Sequence, residues 1–502
     1  MKIQLLLKLA IVDEKGNNVD YTIIQSRDLT DYVLSQIITI DPSRKFYIPD
    51  HVFEVTMAIK ANDVPALGYV QYSVDTEKDS HKEMEDKSVL ENEYYTIEVE
   101  KDGSLTIVDK ENNVTYKNQG ILVENGDDGD SFNYSPPRKD LEVFSNESES
   151  SVKISGSDVY SQAVIHFDMV VPENLEERAE GKVSVTMPVD MTVALRKGSK
   201  VIDFNVKVDN KGLSHRLCVV FDSQIVSAFN YADQQFGLIK RPNYYEKEMK
   251  LYMESMNNKP EKKAGIQELA NWANDQSTWQ EPPISIEPTQ SYVSLTDGKT
   301  GVAVIPQGVR EYEVLDDSKI RLTLFRTYGF MGKENLIYRP GRASGERIIE
   351  TPAAQLLKQM EFNFGFTTYA GDINDADIDT LAKQYDTNME VYTYAEFLNG
   401  RLIFSQREIE GKNDIVHSLF ETEGNLVVSA IKKAEEDDGY IIRLYNGKDH
   451  RNLDDKIKFN FDVKEAYYTN LKEEKTEAIK VENNTISVKE LSHCKFVTIW
   501  VK

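Results

Sequence analysis

The sequence predicts an all-β protein in which several sandwich domains follow one another along the chain. Strand-like segments alternate apolar and polar residues and are separated by D-G and N-N turns, as in residues 90–116. Between residues 153 and 221 the strands are longer, which is typical of large antiparallel sheets with one buried face. Because 502 residues exceed what one core accommodates, we expect two to four domains.

The elements follow in order along the chain. Residues 1–25 are predicted to form a hairpin around residues 14–18, and residues 26–43 either a short helix or an extended covering segment. Strands follow at 51–59 and 68–74, and the charged stretch 76–87 is the predicted linker. Helical turns are expected within 264–274 and 381–385. These patterns divide the chain into a small β domain, a large β domain and a C-terminal β-sandwich, with predicted bounds 1–80, 88–375 and 390–502.

The stretch 124–138, E-N-G-D-D-G-D-S-F-N-Y-S-P-P-R, combines two glycines, four acids, two aromatic residues and a Pro-Pro pair. Helix interiors and central strands do not tolerate this composition, so it predicts a long structured loop. One reading is a solvated connection rich in turn formers. The other is a loop that packs against something or presents a surface, which the aromatic residues and the rigid prolines favour.

Composition restricts the partners and the compartment. The formal net charge of -25 is spread along the whole chain and would repel phosphate backbones and anionic lipids, so nucleic acid and membrane partners are not expected. The two cysteines, Cys218 and Cys494, each lie in an apolar strand-like run, which suits a reducing, cytoplasmic setting. The leucine-rich start is interrupted by Lys8 and is predicted to be a first strand, not a targeting signal.

Motifs that carry catalytic chemistry are absent from the sequence. It contains no G-x-S-x-G elbow, phosphate-binding glycine loop or H-E-x-x-H pair, and no two of its seven histidines lie close enough in sequence to form a local metal pair. From the residues alone, the chain is an acidic multi-sandwich β protein that could present loops to a neutral ligand.

Several motifs, in order, resemble the C-terminal half of glycoside hydrolase family 38, the α-mannosidases. They lie at residues 90–110, 123–137, 195–210, 231–242 and 351–355, with further similar segments at 27–36, 64–69 and 443–447. The resemblance covers nearly the whole chain. It implies a galactose-mutarotase-like super-sandwich flanked by a small N-terminal β domain and a C-terminal immunoglobulin-like sandwich.

The resemblance also implies what the chain does. The family's zinc ligands, aspartate nucleophile and acid/base lie in an N-terminal catalytic half that has no counterpart here, so we expect no cofactor in this chain and no hydrolysis without that half. The expected partners are that catalytic half and an α-mannoside or other neutral carbohydrate. The oligomeric state, including a homo-oligomer, stays open. Tyr231, Asp233 and Arg342, the last in a G-R-x-x-x-E turn, match the rim of the family's substrate pocket.

Alternatives remain at this point. Tyr231 could simply close a strand, and Arg342 could pair with a surface acid. The chain could be a non-catalytic carbohydrate-binding or scaffold protein, with Trp272, Trp279 and Tyr134 stacking on sugar rings. A mutarotase-like enzyme would instead need a convergent His/Glu pair on the concave face of the sheet, and only His166 and His215 lie on suitable strands. A fragment that lacks its catalytic half should also expose apolar surface near 124–138 and 231–242.

Overall fold

A computed structural model describes residues 9–40, 51–261, 265–275, 280–341, 348–392, 416–450, 452 and 454–502. Strands account for 45% and helices for 11% of the structure, which confirms the predicted all-β class. By its internal contacts the chain divides into two compact units. Unit 1 comprises Met1–Glu85, Gly156–Tyr160 and Gln384–Lys502, and unit 2 comprises Asp86–Ser155 and Ser161–Lys383.

The described elements have the following bounds. The helices are α1 (Thr30–Ile40), α2 (Leu175–Glu180), α3 (Glu246–Asn257), α4 (Ile266–Asn274) and α5 (Ile378–Asp386). The first strands are β1 (Ala10–Val12), β2 (Asn18–Val19), β3 (Tyr21–Asp28), β4 (Phe53–Ile59), β5 (Gly68–Val70), β6 (Ser73–Asp75), β7 (Glu85–Asp86), β8 (Leu90–Glu91), β9 (Tyr95–Val99), β10 (Leu105–Asp109), β11 (Val114–Gln119), β12 (Ile121–Gly126), β13 (Val143–Phe144), β14 (Glu149–Gly156) and β15 (Tyr160–Val171). They are followed by β16 (Val185–Arg196), β17 (Ile202–Asp209), β18 (His215–Asp222), β19 (Phe229–Gln234), β20 (Gly237–Pro242), β21 (Glu287–Pro288), β22 (Val293–Thr296), β23 (Thr300–Gln307), β24 (Glu311–Leu315), β25 (Lys319–Arg326), β26 (Phe330–Met331), β27 (Ile349–Glu350) and β28 (Gln359–Ala370). The last are β29 (Val416–Ser418), β30 (Phe420–Glu423), β31 (Val427–Lys433), β32 (Tyr440–Tyr445), β33 (Lys456–Phe459), β34 (Ala466–Thr469), β35 (Lys475–Ile479), β36 (Thr485–Ser487) and β37 (Phe496–Val501).

Large antiparallel sheets build unit 2. A ten-stranded sheet runs in the order β20-β19-β22-β23-β28-β17-β16-β15-β14-β7, and a six-stranded sheet in the order β13-β12-β18-β25-β24-β21. Strands β11-β10-β9-β8 form a smaller sheet. The inward side chains of these three sheets form one hydrophobic core. Phe204 of the ten-stranded sheet lies 5.2 Å from Phe221 of the six-stranded sheet, between ring centroids, so the two sheets pack face to face.

Alternation explains why these long segments form strands. In β16 the alternate residues Met187, Val189, Met191 and Val193 have no exposed surface, whereas Asp190 between them faces solvent. A period-two pattern of this kind buries one face of a sheet and leaves the other polar. The predicted large antiparallel sheets are therefore confirmed.

Unit 1 contains a C-terminal β-sandwich and several small sheets. The sandwich pairs the sheet β31-β32-β37-β34-β35 with the sheet β30-β33-β36 around a core that includes Phe420, Ile442, Ile486 and Ile499. The smaller sheets are β2-β1-β6, β3-β4 and β29-β5. The last of these joins residues 68–70 to residues 416–418. A Cβ atom at Gly68 would lie 1.9 Å from the carbonyl oxygen of His417, so this close pairing requires a glycine.

Local predictions had mixed outcomes. The predicted helical turns at 264–274 and 381–385 are present as α4 and α5, and within 26–43 the helical alternative is realised as α1. Helices α2 and α3 were not predicted, because α2 has only 6 residues and lies between long strands, and α3 lies inside a stretch dominated by polar residues. Within the predicted linker, His81 bridges to Tyr21, so that part of the stretch is ordered. In the part of the chain that the structure describes, no helix is long and apolar enough to cross a membrane.

Candidate functional site

Strand β12 carries the chain into the acidic segment 124–138. Glu124, Asn125 and Gly126 still pair with β18, and Gly126 is opposite His215. The prediction that the whole segment is a loop is therefore wrong for its first three residues, because β18 supplies them with backbone partners. The loop itself begins at Asp127, and we call residues 127–141 the acidic loop.

Glu124 of β12, just before the acidic loop, is a carboxylate with no exposed surface. It forms an ion pair with Arg178 of α2, and its Oε1 lies 3.0 Å from Nδ1 of His215. The other ring nitrogen of His215 lies 2.9 Å from Oδ1 of Asn210. Because both ring nitrogens are engaged and the ring is fully buried, His215 supports the sheet and is not available as a catalytic base.

Two arginines from a distant part of the sequence fix the acidic loop. Arg326 at the end of β25 donates to both carboxylate oxygens of Asp127, at 2.6 and 3.2 Å, and to the carbonyl oxygens of Asp130 and Asn133, each at 2.9 Å. Arg339 forms an ion pair with Asp130. Each carboxylate side chain is completely buried. The loop is therefore held by charged hydrogen bonds in a site shielded from water.

Two buried acids of the loop, Asp127 and Asp130, have pKa values shifted in opposite directions. Burial raises the pKa of Asp127 despite its pairing with Arg326. At Asp130 burial is also the largest single influence, but hydrogen bonds from Arg339 and from the backbone amides of Lys333, Phe132 and Asn133 together outweigh it and lower the pKa. Several donors around one carboxylate stabilise its charged form. Asp130 is thus the anionic centre around which the loop tip closes.

A second layer of polar side chains lies between the acidic loop and the six-stranded sheet. The Arg216 guanidinium stacks on the ring of Tyr134 at 4.0 Å from the ring centroid, donates to Oδ1 of Asn125 at 2.9 Å, and donates to Glu313 at 2.9 Å. Tyr338 packs edge-on against the same tyrosine ring. Tyr134 of the acidic loop therefore packs against Arg216 and Tyr338, and these contacts fix its ring on the side of the loop that faces the six-stranded sheet.

The tip of the acidic loop is exposed to solvent. Phe132 is 59% exposed, although the amides of Phe132 and Asn133 are both bound to Asp130. The backbone amide of Ser131 donates to the carbonyl oxygen of Phe330 at 3.2 Å, which places the tip beside β26. The loop thus presents one aromatic side chain on a fixed backbone.

The three residues predicted for a pocket rim have different positions. Tyr231 and Asp233 lie two residues apart on β19, so their side chains share a face of the ten-stranded sheet. Lys240 lies over the Tyr231 ring at 5.5 Å, and Asp233 accepts a hydrogen bond from Ser291 at 2.6 Å. Burial, with a further contribution from Asp379, raises the pKa of Asp233 to about 6. Arg342 lies outside the described residues, as does Glu346 of the same predicted turn. The assignment of all three residues to a pocket rim stays a prediction.

The side chains considered for the alternatives are also placed. Tyr134, only 8% exposed, is covered by Arg216 and cannot stack on a sugar. Lys259 lies 5.3 Å from the ring centroid of Trp272, and Trp279 is outside the described residues. His166 is on the outer face of the sheet, with Asp190 at 2.7 Å. The aromatic cluster proposed for sugar stacking therefore loses Tyr134, and the buried His215 is no candidate for a mutarotase-like base.

Sequence reasoning missed the residues that organise this site. Arg178, Arg326 and Arg339 lie 54, 199 and 209 positions from the acids that they bind. No local spacing connects such partners, so no signal in the sequence identifies them. The described side chains also bring no three His, Cys, Asp or Glu residues together as a metal site would require. The residues that are described therefore do not fit the zinc of the resembled family.

Two domain models of one family match the sequence. The model "Glycosyl hydrolases family 38 C-terminal domain" matches residues 90–330, and "Glycosyl hydrolases family 38 C-terminal beta sandwich domain" matches residues 425–498. The first lies in unit 2 except for residues 156–160, and the second lies within unit 1.

Individual relatives agree with these models. The sequence is 25% identical over 422 residues to a "Putative mannosylglycerate hydrolase" of Halalkalibacterium halodurans, covering 80% of this chain and 40% of that protein. The fold is similar to that of an α-mannosidase from Enterococcus faecalis V583, with a TM-score of 0.72, 19% identity, and coverage of 98% of this chain and 51% of that one. A second Enterococcus faecalis structure, "a Protein in the Glycosyl Hydrolase Family 38", has a TM-score of 0.70 at 19% identity and covers 98% and 52% of the two chains.

This chain therefore spans about half the length, or less, of the relatives that it matches. The two matched models together cover more than half of the sequence. The chain belongs to glycoside hydrolase family 38, and it corresponds to the C-terminal, β-sandwich half of that family's proteins.

Proposed function

We propose that this chain is the β half of an enzyme that hydrolyses α-mannosides, and that hydrolysis requires the zinc-bearing catalytic half of the family. The observation that carries the proposal is the ordered match of both C-terminal models of the family. The relative named as a mannosylglycerate hydrolase makes mannosylglycerate a substrate to test beside simple aryl α-mannosides. Retaining hydrolysis needs a nucleophile and an acid/base placed on either side of the glycosidic bond. We assign both to the catalytic half.

The role that we propose for this chain is to complete the substrate pocket from one side. Tyr231, Asp233 and Arg342 are the residues that we propose for its rim. A half-buried carboxyl group with a raised pKa, such as that of Asp233, can exchange hydrogen bonds with sugar hydroxyls as either donor or acceptor. A guanidinium at position 342 can donate two parallel hydrogen bonds. We also propose a cytoplasmic setting, which the unpaired thiols of Cys218 and Cys494 favour.

The experiment compares the purified chain with a two-part mixture. Alone, it should hydrolyse neither 4-nitrophenyl α-mannoside nor mannosylglycerate and should retain no stoichiometric zinc after dialysis. With a folded catalytic half of the family added, turnover should appear and should depend on zinc. Equimolar zinc and turnover in the isolated chain would refute the proposal. Millimolar binding of methyl α-mannoside by the isolated chain, without turnover in the mixture, would favour a non-catalytic carbohydrate-binding protein.

A further inference from the structure

Helix α5 is attached to the start of β22 by a hydrogen bond between two buried side chains. The hydroxyl of Tyr292, which is 1% exposed, donates to Oδ1 of Asp379 at 2.7 Å. Tyr292 directly precedes β22, and Asp379 lies in the first turn of α5. Apart from Asp379, the helix buries only Ile378 and Ala382. Because a helix of 9 residues with so small an apolar face is marginally stable by itself, this polar contact is an important part of its attachment.

A second carboxyl group, that of Asp233 on β19, lies at the same place. It accepts a hydrogen bond from the hydroxyl of Ser291 at 2.6 Å. The backbone amide of Asp233 donates to the carbonyl oxygen of Tyr292 at 3.0 Å. The adjacent residues Ser291 and Tyr292 therefore each bind one acid. The two acids are close enough for the charge of Asp379 to add to burial, the larger cause, in raising the pKa of Asp233.

Other titratable side chains around the two acids do not change charge near neutral pH. They are Lys383 of α5, Arg310 between β23 and β24, Tyr231 of β19, Tyr292 before β22 and Tyr369 of β28. Lys383 and Arg310 favour the anionic form of Asp233, but burial and Asp379 outweigh them. Burial raises the pKa of Tyr292 and Tyr369, so both stay neutral. A change of charge in this cluster between pH 5 and pH 7.5 therefore comes from Asp233, whose pKa is raised to about 6.

We propose that Asp233, Asp379 and Tyr292 form a proton-dependent latch, which holds α5 firmly while Asp233 is protonated and loosens it when Asp233 becomes an anion. Protonated Asp233 presents no charge to Asp379, so the hydrogen bond from Tyr292 is undisturbed. Anionic Asp233 repels Asp379, and this repulsion is relieved when the helix that carries Asp379 moves away. The chain passes from unit 2 to unit 1 within α5, between residues 383 and 384, so the latch acts on the segment that connects the two units. The inference stands whether or not Asp233 belongs to a pocket rim.

The sign and size of the effect come from linkage between proton binding and opening of α5. A carboxyl group whose pKa is higher in the closed state than in the open state stabilises the closed state at low pH, and this contribution is lost as the pH rises through about 6. If opening returned Asp233 to an ordinary pKa near ~3.9, the opening equilibrium constant of α5 would rise about tenfold from pH 5 to pH 7.5. Because part of the burial of Asp233 persists after α5 opens, we expect a rise of at least about threefold.

Hydrogen–deuterium exchange of the full chain measures this opening directly. Mass spectrometry of peptides from α5 at pH 5 and pH 7.5, corrected for the intrinsic exchange rate at each pH, gives the protection of the helix. The informative variants are Asp233→Asn and Ser291→Ala. The matched control is Asp316→Asn, which neutralises an acid that is 72% exposed between β24 and β25. Peptides from α3, a helix of the same unit, are the internal reference.

The wild type and Asp316→Asn should lose at least about threefold in the protection of α5 between pH 5 and pH 7.5, whereas Asp233→Asn should be equally protected at both values. Ser291→Ala removes a hydrogen bond that favours the anion, so its loss of protection should begin at a higher pH than that of the wild type. This variant keeps both carboxyl groups and tests the latch even if Asp233→Asn fails to fold. Equal protection of the wild type at both pH values, a full pH dependence in Asp233→Asn, an unshifted profile in Ser291→Ala, or a matching loss in α3 would each overturn the latch.

Discussion

Removing Arg326 should destabilise unit 2 in a way that depends strongly on pH. In Arg326→Met, the carboxylate of Asp127 keeps its fully buried position but loses two charged hydrogen bonds. A buried carboxylate without its partner is expected to take up a proton. With an unfolded pKa near ~3.9, neutralising it costs about 4 kcal/mol at pH 7 and about 1.5 kcal/mol at pH 5, at about 1.36 kcal/mol per pH unit.

The direction of the pH dependence follows from the raised pKa of the Asp127 carboxyl group. A carboxyl group whose pKa is raised in the folded state contributes its full stability below the unfolded pKa and loses that contribution as the pH rises. The penalty of Arg326→Met relative to the wild type should therefore grow from pH 5 to pH 7 by at most about 3 kcal/mol, because the raised pKa of Asp127 already gives the wild type part of the same pH dependence. Pulse proteolysis in a urea series at both values gives the free energy of unfolding, and fragment sizes identify the unit that opens.

A double variant supplies the control. Asp127→Asn together with Arg326→Met removes both charges. This double variant should therefore lose less free energy of unfolding at pH 7 than Arg326→Met does, and its loss should be almost independent of pH. An equal loss for Arg326→Met at pH 5 and pH 7 would show that the arginine acts through packing alone. A double variant as unstable as the single one at pH 7 would refute the role of the stranded carboxylate.

Three further predictions concern other positions. Asp233 has a pKa raised to about 6 by burial and by Asp379, so its contribution to stability is lost as the pH rises through about 6. In thermal scans, Asp233→Asn should melt a few degrees above the wild type at pH 7.5 and together with it at pH 4. Gly129→Ala should lower stability by at least about 2 kcal/mol because a Cβ meets a carbonyl oxygen at 2.0 Å, whereas Gly265→Ala, with open space, should stay within about 0.5 kcal/mol in urea titrations. In an assembled two-part enzyme, Arg342→Ala should lower kcat/KM by roughly 1 to 3 kcal/mol with an unchanged melting temperature, and wild-type kinetics would remove Arg342 from the rim.

The fold was predictable because its signal is local. Alternation within β16 or β17 is contained in one segment, and it determines both the strand and its buried face. Helix α3 escaped prediction because its local signal is weak. Its residues, E-K-E-M-K-L-Y-M-E-S-M-N, place apolar side chains at helical spacing only at Met249, Tyr252, Met253 and Met256, among charged residues, and the helix buries only Ser255.

The candidate site was predictable only in part. The composition of residues 127–138 identified a structured loop, since glycine, proline and acids are local signals. What fixes that loop is not local, because the pairing of β18 with β12 and with β25 brings Asp127 and Arg326 together. The burial of Tyr134 under Arg216 likewise depends on a contact between residues that are distant in sequence. Because of this contact, Tyr134 is not available for the sugar stacking that the sequence had suggested.

The pairing of β5 with β29 has a consequence for synthesis on the ribosome. Ser418 donates to the carbonyl oxygen of Ala66, and these residues are 352 positions apart. At the usual pace of translation the strand at residues 68–70 waits roughly 20 to 70 seconds for its partner. During that interval Leu67, Tyr69 and Val74, all exposed even in the finished protein, stand beside an unpaired strand edge in the nascent chain. The N-terminal strands of unit 1 are therefore where a chaperone would have the longest opportunity to bind, and where slowed translation near the C-terminus would promote aggregation.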